Sequence, residues 1–226
     1  MSKIIQHKTL AMQVYHLLEN MIINNELKPG EVLYLEKLAD KFGVSITPIR
    51  QAFLKLETSN LVYFKSNGCA YVKNIDEKAA EEIWDYRMLI ECYASRHVAE
   101  KIADEEITEI EKKLLLTSQD PENFSIHHDA DNYLHTTLTK YCNNEHIRRA
   151  LQYIEPNLAR VRYFSIQASD FKNIRYALEE HERILDAIKD RDPKGIPEAL
   201  SEHLKRGKQR MLDSLRLFSS RGPDVF

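Results

Sequence analysis

The sequence predicts a mainly α protein: an N-terminal winged helix-turn-helix with a small β-hairpin wing, followed by an all-α antiparallel helical bundle. Three observations predict it. Two short helical patterns flank a glycine turn at Leu35–Val62, two strand-like runs follow at once, and helical periodicity is nearly continuous from Asp76 onwards.

In the first part, Leu35, Leu38, Ala39 and Phe42 fall on one helical face, and Gly43 follows where a helix stops and needs a positive φ. Ser45 or Thr47 is placed to cap the next helix, and Pro48 sits in its first turn, where a missing N–H costs little. Ile49, Phe53, Leu54 and Leu56 then resume helical spacing. An αα-corner in a helical core is the plainer interpretation. The sequel favours a DNA-binding module: Leu61–Phe64 and Cys69–Val72 read as strands around the turn Ser66-Asn67-Gly68, which makes a wing. Arg50, beside small polar groups near the helix N-terminus, suits phosphate and base-edge contact.

Charge is distributed to match. Residues 1–75 hold 9 Lys+Arg against 6 Asp+Glu, and the remainder 23 against 29, although the whole chain is slightly acidic at −3. Lys3, Lys8, Lys37, Lys41, Lys55 and Lys65 are candidate phosphate contacts, although a single surface lysine is ordinarily just a solvated charge. The small excess calls for two copies bound together. Cys69, Cys92 and Cys142 are odd in number and widely spaced, which fits a reducing cytoplasm rather than a disulfide framework or thiolate site. No long apolar run and no secretory signal appears, so a membrane span is not expected and the location expected is cytoplasmic.

Helices are predicted near 76–102, 105–118, 122–143, 145–167, 170–190 and 194–218, with breaks at Asp104, Asp120-Pro121, Asn143-Asn144, Ser169-Asp170 and Asp192-Pro193. This gives residues 1–75 as the winged domain, 76–219 as an all-α ligand-binding and dimerisation domain, and a frayed tail over 220–226.

Three apolar stripes carry polar residues. Phe124, His128, Asp131, His135, Leu138 and Cys142 form the first; Ile174, Leu178, His181, Leu185 and Ile188 the second; Ile196, Leu200, His203, Gly207 and Met211 the third. One histidine on an apolar face is usually a satisfied core residue. Three such positions, one with a carboxylate a turn away, make Asp131, His135, His181 and His203 candidates to converge on a divalent metal. Imidazoles and a carboxylate suit Zn²⁺ or Ni²⁺, and less strongly Mn²⁺ or Fe²⁺. His127 and His128 are not expected to be ligands.

The spelling GVSITPIRQAFLKLETSNLV, preceded by LKPGEVLYLEKLAD, resembles the winged-helix domain of the GntR family of bacterial transcription regulators. Ser45, Thr47, Pro48 and Arg50 match its motif, as do Gly30, Glu36, Gly68 and Val72. The resemblance implies DNA contact by Glu36, Ser45, Thr47, Pro48 and Arg50 and by the wing at Lys65, Asn67 and Gly68. Ile46 departs from it, since the family usually has a DNA-contacting Arg there. The helical part resembles the FCD domain of FadR-type members, and Asp131, His135, Glu180-His181 and His203 match the pattern of its metal-binding branch one by one. What this implies is a homodimeric, metabolite-responsive regulator, repressor or activator, on a palindromic operator in double-stranded DNA, with a metal that presents open positions to a small carboxylate or sugar acid. Arg87, within RMLIE, is the best further pocket candidate, against a plain i,i+4 pair with Glu91. Arg160, Arg162 and Tyr163 are candidates for lining the same cavity. The competing functions are a metal-dependent hydrolase, which lacks an evident general base, and a regulator whose metal is purely structural.

Overall fold

The computed structural model describes residues 9–66, 68–167 and 171–219. They divide into two compact units between Ile75 and Asp76. Lys3, Lys8, Asn67, the break at Ser169-Asp170 and the tail 220–226 lie outside the described residues.

The first unit runs α1 (Leu10–Ile23), β1 (Val32–Leu33), α2 (Leu35–Phe42), α3 (Ile46–Thr58), β2 (Val62–Phe64) and β3 (Ala70–Val72). Thr9 caps α1 by accepting from the Met12 N–H. Gly43 ends α2 at φ 64°, which turns the chain into α3. Ser45 occupies the α3 N-cap without a side-chain cap bond. Ile49, Ala52, Phe53 and Leu56 pack inward with Val14, Leu18, Met21 and Ile22 of α1, whereas Leu54 faces solvent. The β2–β3 wing closes through Gly68 (φ 77°), whose N–H donates to the Lys65 carbonyl. The sheet has three strands rather than the two of a lone hairpin, in the order β1-β3-β2 and all antiparallel, with Val32 opposite Tyr71 and Tyr63 opposite Tyr71 on the other side. Two residues are too few for β1 to show a period in sequence.

The second unit is helical among its described residues: α4 (Glu77–Ser95), α5 (Val98–Lys101), α6 (Asp104–Gln119), α7 (Phe124–Lys140), α8 (Glu145–Gln167), α9 (Phe171–Lys189) and α10 (Gly195–Ser219). The stretch expected as one helix over 76–102 is broken at Arg96-His97. The bend lets Val98, Ala99 and Ile102 turn into the core, and Arg191 donates to the Ala99 and Ile102 carbonyls at 3.2 and 3.1 Å. That reason is tertiary, so no local signal announces it. Helix α10 packs on α4 and α9, and α7 on α6, α4 and α8. At Gly207 a Cβ would lie 2.7 Å from a ring carbon of Trp84, so glycine is what lets α10 approach α4 so closely. Among the described residues no helix is long and apolar enough to cross a membrane.

Candidate metal centre

The second and third stripes are buried as the periodicity predicts, with His181 on α9 and His203 on α10 at their centres. On α7 the buried line is His127, Ala130, Asp131, Leu134, His135 and Leu138; His128 is only half-buried and stacks on Phe124, so the first stripe is corrected by one position at its start. The i, i+4 spacing aims Asp131 and His135 from adjacent turns at the two other helices. One ligand atom from each of Asp131, His135, His181 and His203 lies within 4.8 Å of all the others, and all four residues are buried.

The surroundings of the imidazoles set their orientation. His135 Nδ1 lies 2.7 Å from Glu91 Oε2 on α4, and His203 Nδ1 lies 3.0 Å from Glu180 Oε2 on α9. Burial works to raise the Glu91 pKa, but Arg87, His135 and Arg162 outweigh it and bring it to about 2. Glu180 is likewise brought to about 2, with burial opposed by its hydrogen bonds to Arg210 and His203. Arg210 grips both Glu180 oxygens at 2.8 and 2.7 Å. Ionised carboxylates only accept, so each Nδ1 carries a proton, and the Nε2 of each ring is turned inward. Those two Nε2 atoms are 3.3 Å apart.

Burial, reinforced by Arg87, lowers the His135 pKa to about 4, and burial with His203 holds His181 well below the ordinary imidazole value. Burial would raise Asp131; His135, His181, Arg87 and Arg162 outweigh it and hold the carboxyl far below its usual range. At neutral pH His135 and His181 are therefore neutral imidazoles beside an ionised Asp131. Among the described residues Asp131 Oδ2 and His181 Nε2 have no hydrogen-bond partner, and His181 Nε2 stands 3.5 Å from Asp131 Oδ1. Clustered imidazole nitrogens and a carboxylate oxygen without a hydrogen-bond partner fit a divalent cation among these four residues.

The pocket candidates divide. Arg87 does form the pair with Glu91, Nε to Oε1 at 2.7 Å, yet its Nη2 is buried without a partner. Its guanidinium carbon lies 4.8 Å from the Trp84 ring centre, and Trp84 Nε1 is also buried and partnerless. Arg162 bonds Asn132 and Glu155 through Nη2 and brings Nε to 3.9 Å from Asp131 Oδ2. Arg160 is buried against Phe164, and burial lowers its pKa to about 10. Tyr163 is half-buried and packs on Phe124 and His128. Sequence reasoning missed Trp84, Arg210 and the supporting roles of Glu91 and Glu180. The one signal was their place on the inner faces: Trp84 and Glu91 share the Arg87 face of α4, and Arg210 lies two turns beyond His203.

In the winged unit, Glu36, Ser45, Thr47, Arg50, Lys65 and Gly68 are exposed. Pro48 is buried in the first turn of α3, where its missing N–H costs the helix little. Ile46, 39% exposed, opens the helix on the solvent side.

Comparison with known proteins agrees with both units. Residues 82–206 match the FCD domain, and residues 10–72 match the domain described as bacterial regulatory proteins, gntR family. The chain is 24% identical over 219 residues to the HTH-type transcriptional repressor RspR of Escherichia coli (strain K12), covering 95% of this chain and 92% of that one. It is 27% identical over 179 residues to the gluconate operon transcriptional repressor of Bacillus licheniformis, covering 76% and 72%. Its fold is similar to that of E. coli McbR/YncC, with a TM-score of 0.78 at 20% identity over 92% of this chain and 99% of that one.

Proposed function

The chain belongs to the GntR family of bacterial transcriptional regulators and carries an FCD domain after its winged helix, and from this premise we propose that it is a metabolite-responsive repressor whose sensor domain holds a divalent metal. It acts as a homodimer that sets two copies of α3 in successive half-sites of a palindromic operator. Asp131, His135, His181 and His203 hold the metal, with Zn²⁺ the best match and Ni²⁺, Mn²⁺ or Fe²⁺ as alternatives. A small carboxylate or sugar acid completes the metal's coordination, and the name of the Bacillus licheniformis relative is in keeping with a sugar acid.

One observation carries the metal: four buried ligand atoms from Asp131, His135, His181 and His203 lie within 4.8 Å of one another, with Asp131 Oδ2 and His181 Nε2 lacking hydrogen-bond partners among the described residues. A cation among them would supply the partner those atoms lack. In this reading Glu91 and Glu180 hold the rings and set their tautomer, while Arg87 and Arg162 attract the acid. The metal supplies a Lewis-acidic anchor. The effector changes DNA affinity only by binding one arrangement of the dimer more tightly than the other.

The test is metal analysis of the purified chain together with gel-shift titration against its upstream DNA, with and without a panel of organic and sugar acids. Stoichiometric metal and an acid-dependent shift are expected. A protein that takes up no metal, or one whose operator binding ignores every acid, overturns the proposal.

A further inference from the structure

Helix α4 turns Trp84, Arg87 and Glu91 to the interior of the second unit. The Glu91 carboxylate is fully used, by Arg87 through one oxygen and His135 through the other. Trp84 Nε1 and Arg87 Nη2, one turn away, are both buried and both without a partner among the described residues. Neither can accept a hydrogen bond, so the pair asks for acceptor oxygens only. Leaving two such donors unmet in a folded core is costly. Trp84 is also held in place: the benzo edge of its ring abuts Gly207, one turn beyond His203, and the Arg87 guanidinium lies against its face. The donors are thus preset before any ligand arrives.

Charge leaves room for an anion there. Arg87 is paired with Glu91, Arg162 with Glu155 and Arg210 with Glu180, so a divalent ion among the four ligands keeps one positive charge after Asp131.

We propose that Trp84 and Arg87 form a second oxyanion anchor beside the metal, and that the effector is a small dicarboxylate held at both ends. One carboxylate completes the metal's coordination, and the other accepts from Trp84 Nε1 and Arg87 Nη2. This rests on the metal-bound reading of the sensor domain and narrows its effector to a dianion. It also makes Trp84, the only tryptophan in the chain, a reporter inside the site.

The experiment uses the full-length, metal-loaded protein. Malonate, succinate, glutarate and adipate are titrated against acetate and butyrate, by tryptophan fluorescence and by calorimetry. At least one dicarboxylate is expected to bind at least tenfold more tightly than either monocarboxylate and to change the fluorescence. Calorimetry on W84F should show that affinity reduced about tenfold or more, as for a lost hydrogen bond to a charged group, with metal content unchanged. R87K keeps the charge but removes the Nη2 donor, and it provides the same readout if W84F does not fold. Monocarboxylates binding as tightly as every dicarboxylate, W84F and R87K binding like the parent, or no probe binding at all each overturns the anchor. If the metal is present and a monocarboxylate binds, the anchor falls while the metal-bound sensor stands; if no metal is held, the sensor reading itself falls.

Discussion

His135 and Glu91 are 44 residues apart in sequence, yet the Nδ1–H of one donates to Oε2 of the other at 2.7 Å, with both side chains buried. Glu91 thereby does two jobs, since its other oxygen neutralises Arg87. Glu91→Gln keeps the shape and an acceptor but loses the charge. Supporting carboxylates of this kind are worth about 10–100-fold in metal affinity. Competition with a chromophoric chelator should show a loss in that range; unchanged affinity would mean that the imidazole is held by packing alone. Glu91→Ala is the harsher change, because it strands Arg87 and should cost about 3–5 kcal/mol of stability in a denaturant melt.

The contact of Gly207 with Trp84 gives a prediction whose sign is informative. Gly→Ala inside a helix ordinarily stabilises by about 1 kcal/mol. Here the new methyl would lie 2.7 and 3.0 Å from two ring carbons of Trp84. Gly207→Ala should therefore destabilise, by about 1–3 kcal/mol in urea unfolding. Adding Trp84→Phe should recover part of the loss in a double-mutant cycle. A more stable single variant would show that α4 and α10 can separate freely.

Metal-free protein should lose stability on acidification in two stages. His135 and His181 have pKa values lowered on folding, His135 to about 4, so the unfolded chain binds more protons as pH falls below about 6.5. Their contribution is complete above that pH and declines towards pH 4. Glu91 and Glu180, both brought to about 2, add stability that is present above the usual carboxylate range and is lost as pH falls towards 2. Melting temperatures measured in chelator across pH 8 to 3 should stay level to about 7 and then fall progressively. A maximum near pH 5 would contradict neutral buried imidazoles.

Ile46 is exposed at the first position of α3, beside Ser45 and Thr47 and one turn from Arg50. Ile46→Arg should strengthen operator binding by about 1–3 kcal/mol if it reaches a guanine, and steepen the salt dependence by roughly one ion if it reaches a phosphate. Arg50→Ala should weaken binding. Fluorescence anisotropy over a range of salt concentrations separates the two modes, and an Ile46→Arg affinity equal to the parent on every sequence argues against α3 as the docking helix.

Leu35–Val62 was legible because its signals are local: an apolar face, a glycine at positive φ, a proline in a first turn, a strand pair around Gly68. Pro48 was legible as a first-turn proline, and its burial in α3 depends on the packing of the helix as a whole. The inner faces of α9 and α10 were legible from period alone, and so their histidines converge as the stripes suggest. The α7 stripe slipped by one position at its start because His127 and His128 offer the same chemistry to adjacent faces. Partnerships between helices left no trace: Glu180 with His203, Arg191 with Ala99 and Ile102, and Trp84 with Gly207 depend on packing that no spacing encodes.

The four residues of the cluster span positions 131 to 203, and the last comes from α10. During synthesis the winged unit has all its packing partners available long before His203 emerges, and N-terminal domains generally fold first. A growing chain can thus acquire its winged half while its buried Asp/His cluster is still incomplete. Assembly of all four side chains becomes a marker of a finished second unit: a truncated or stalled product ending before α10 keeps Asp131, His135 and His181 but lacks His203 to complete the cluster.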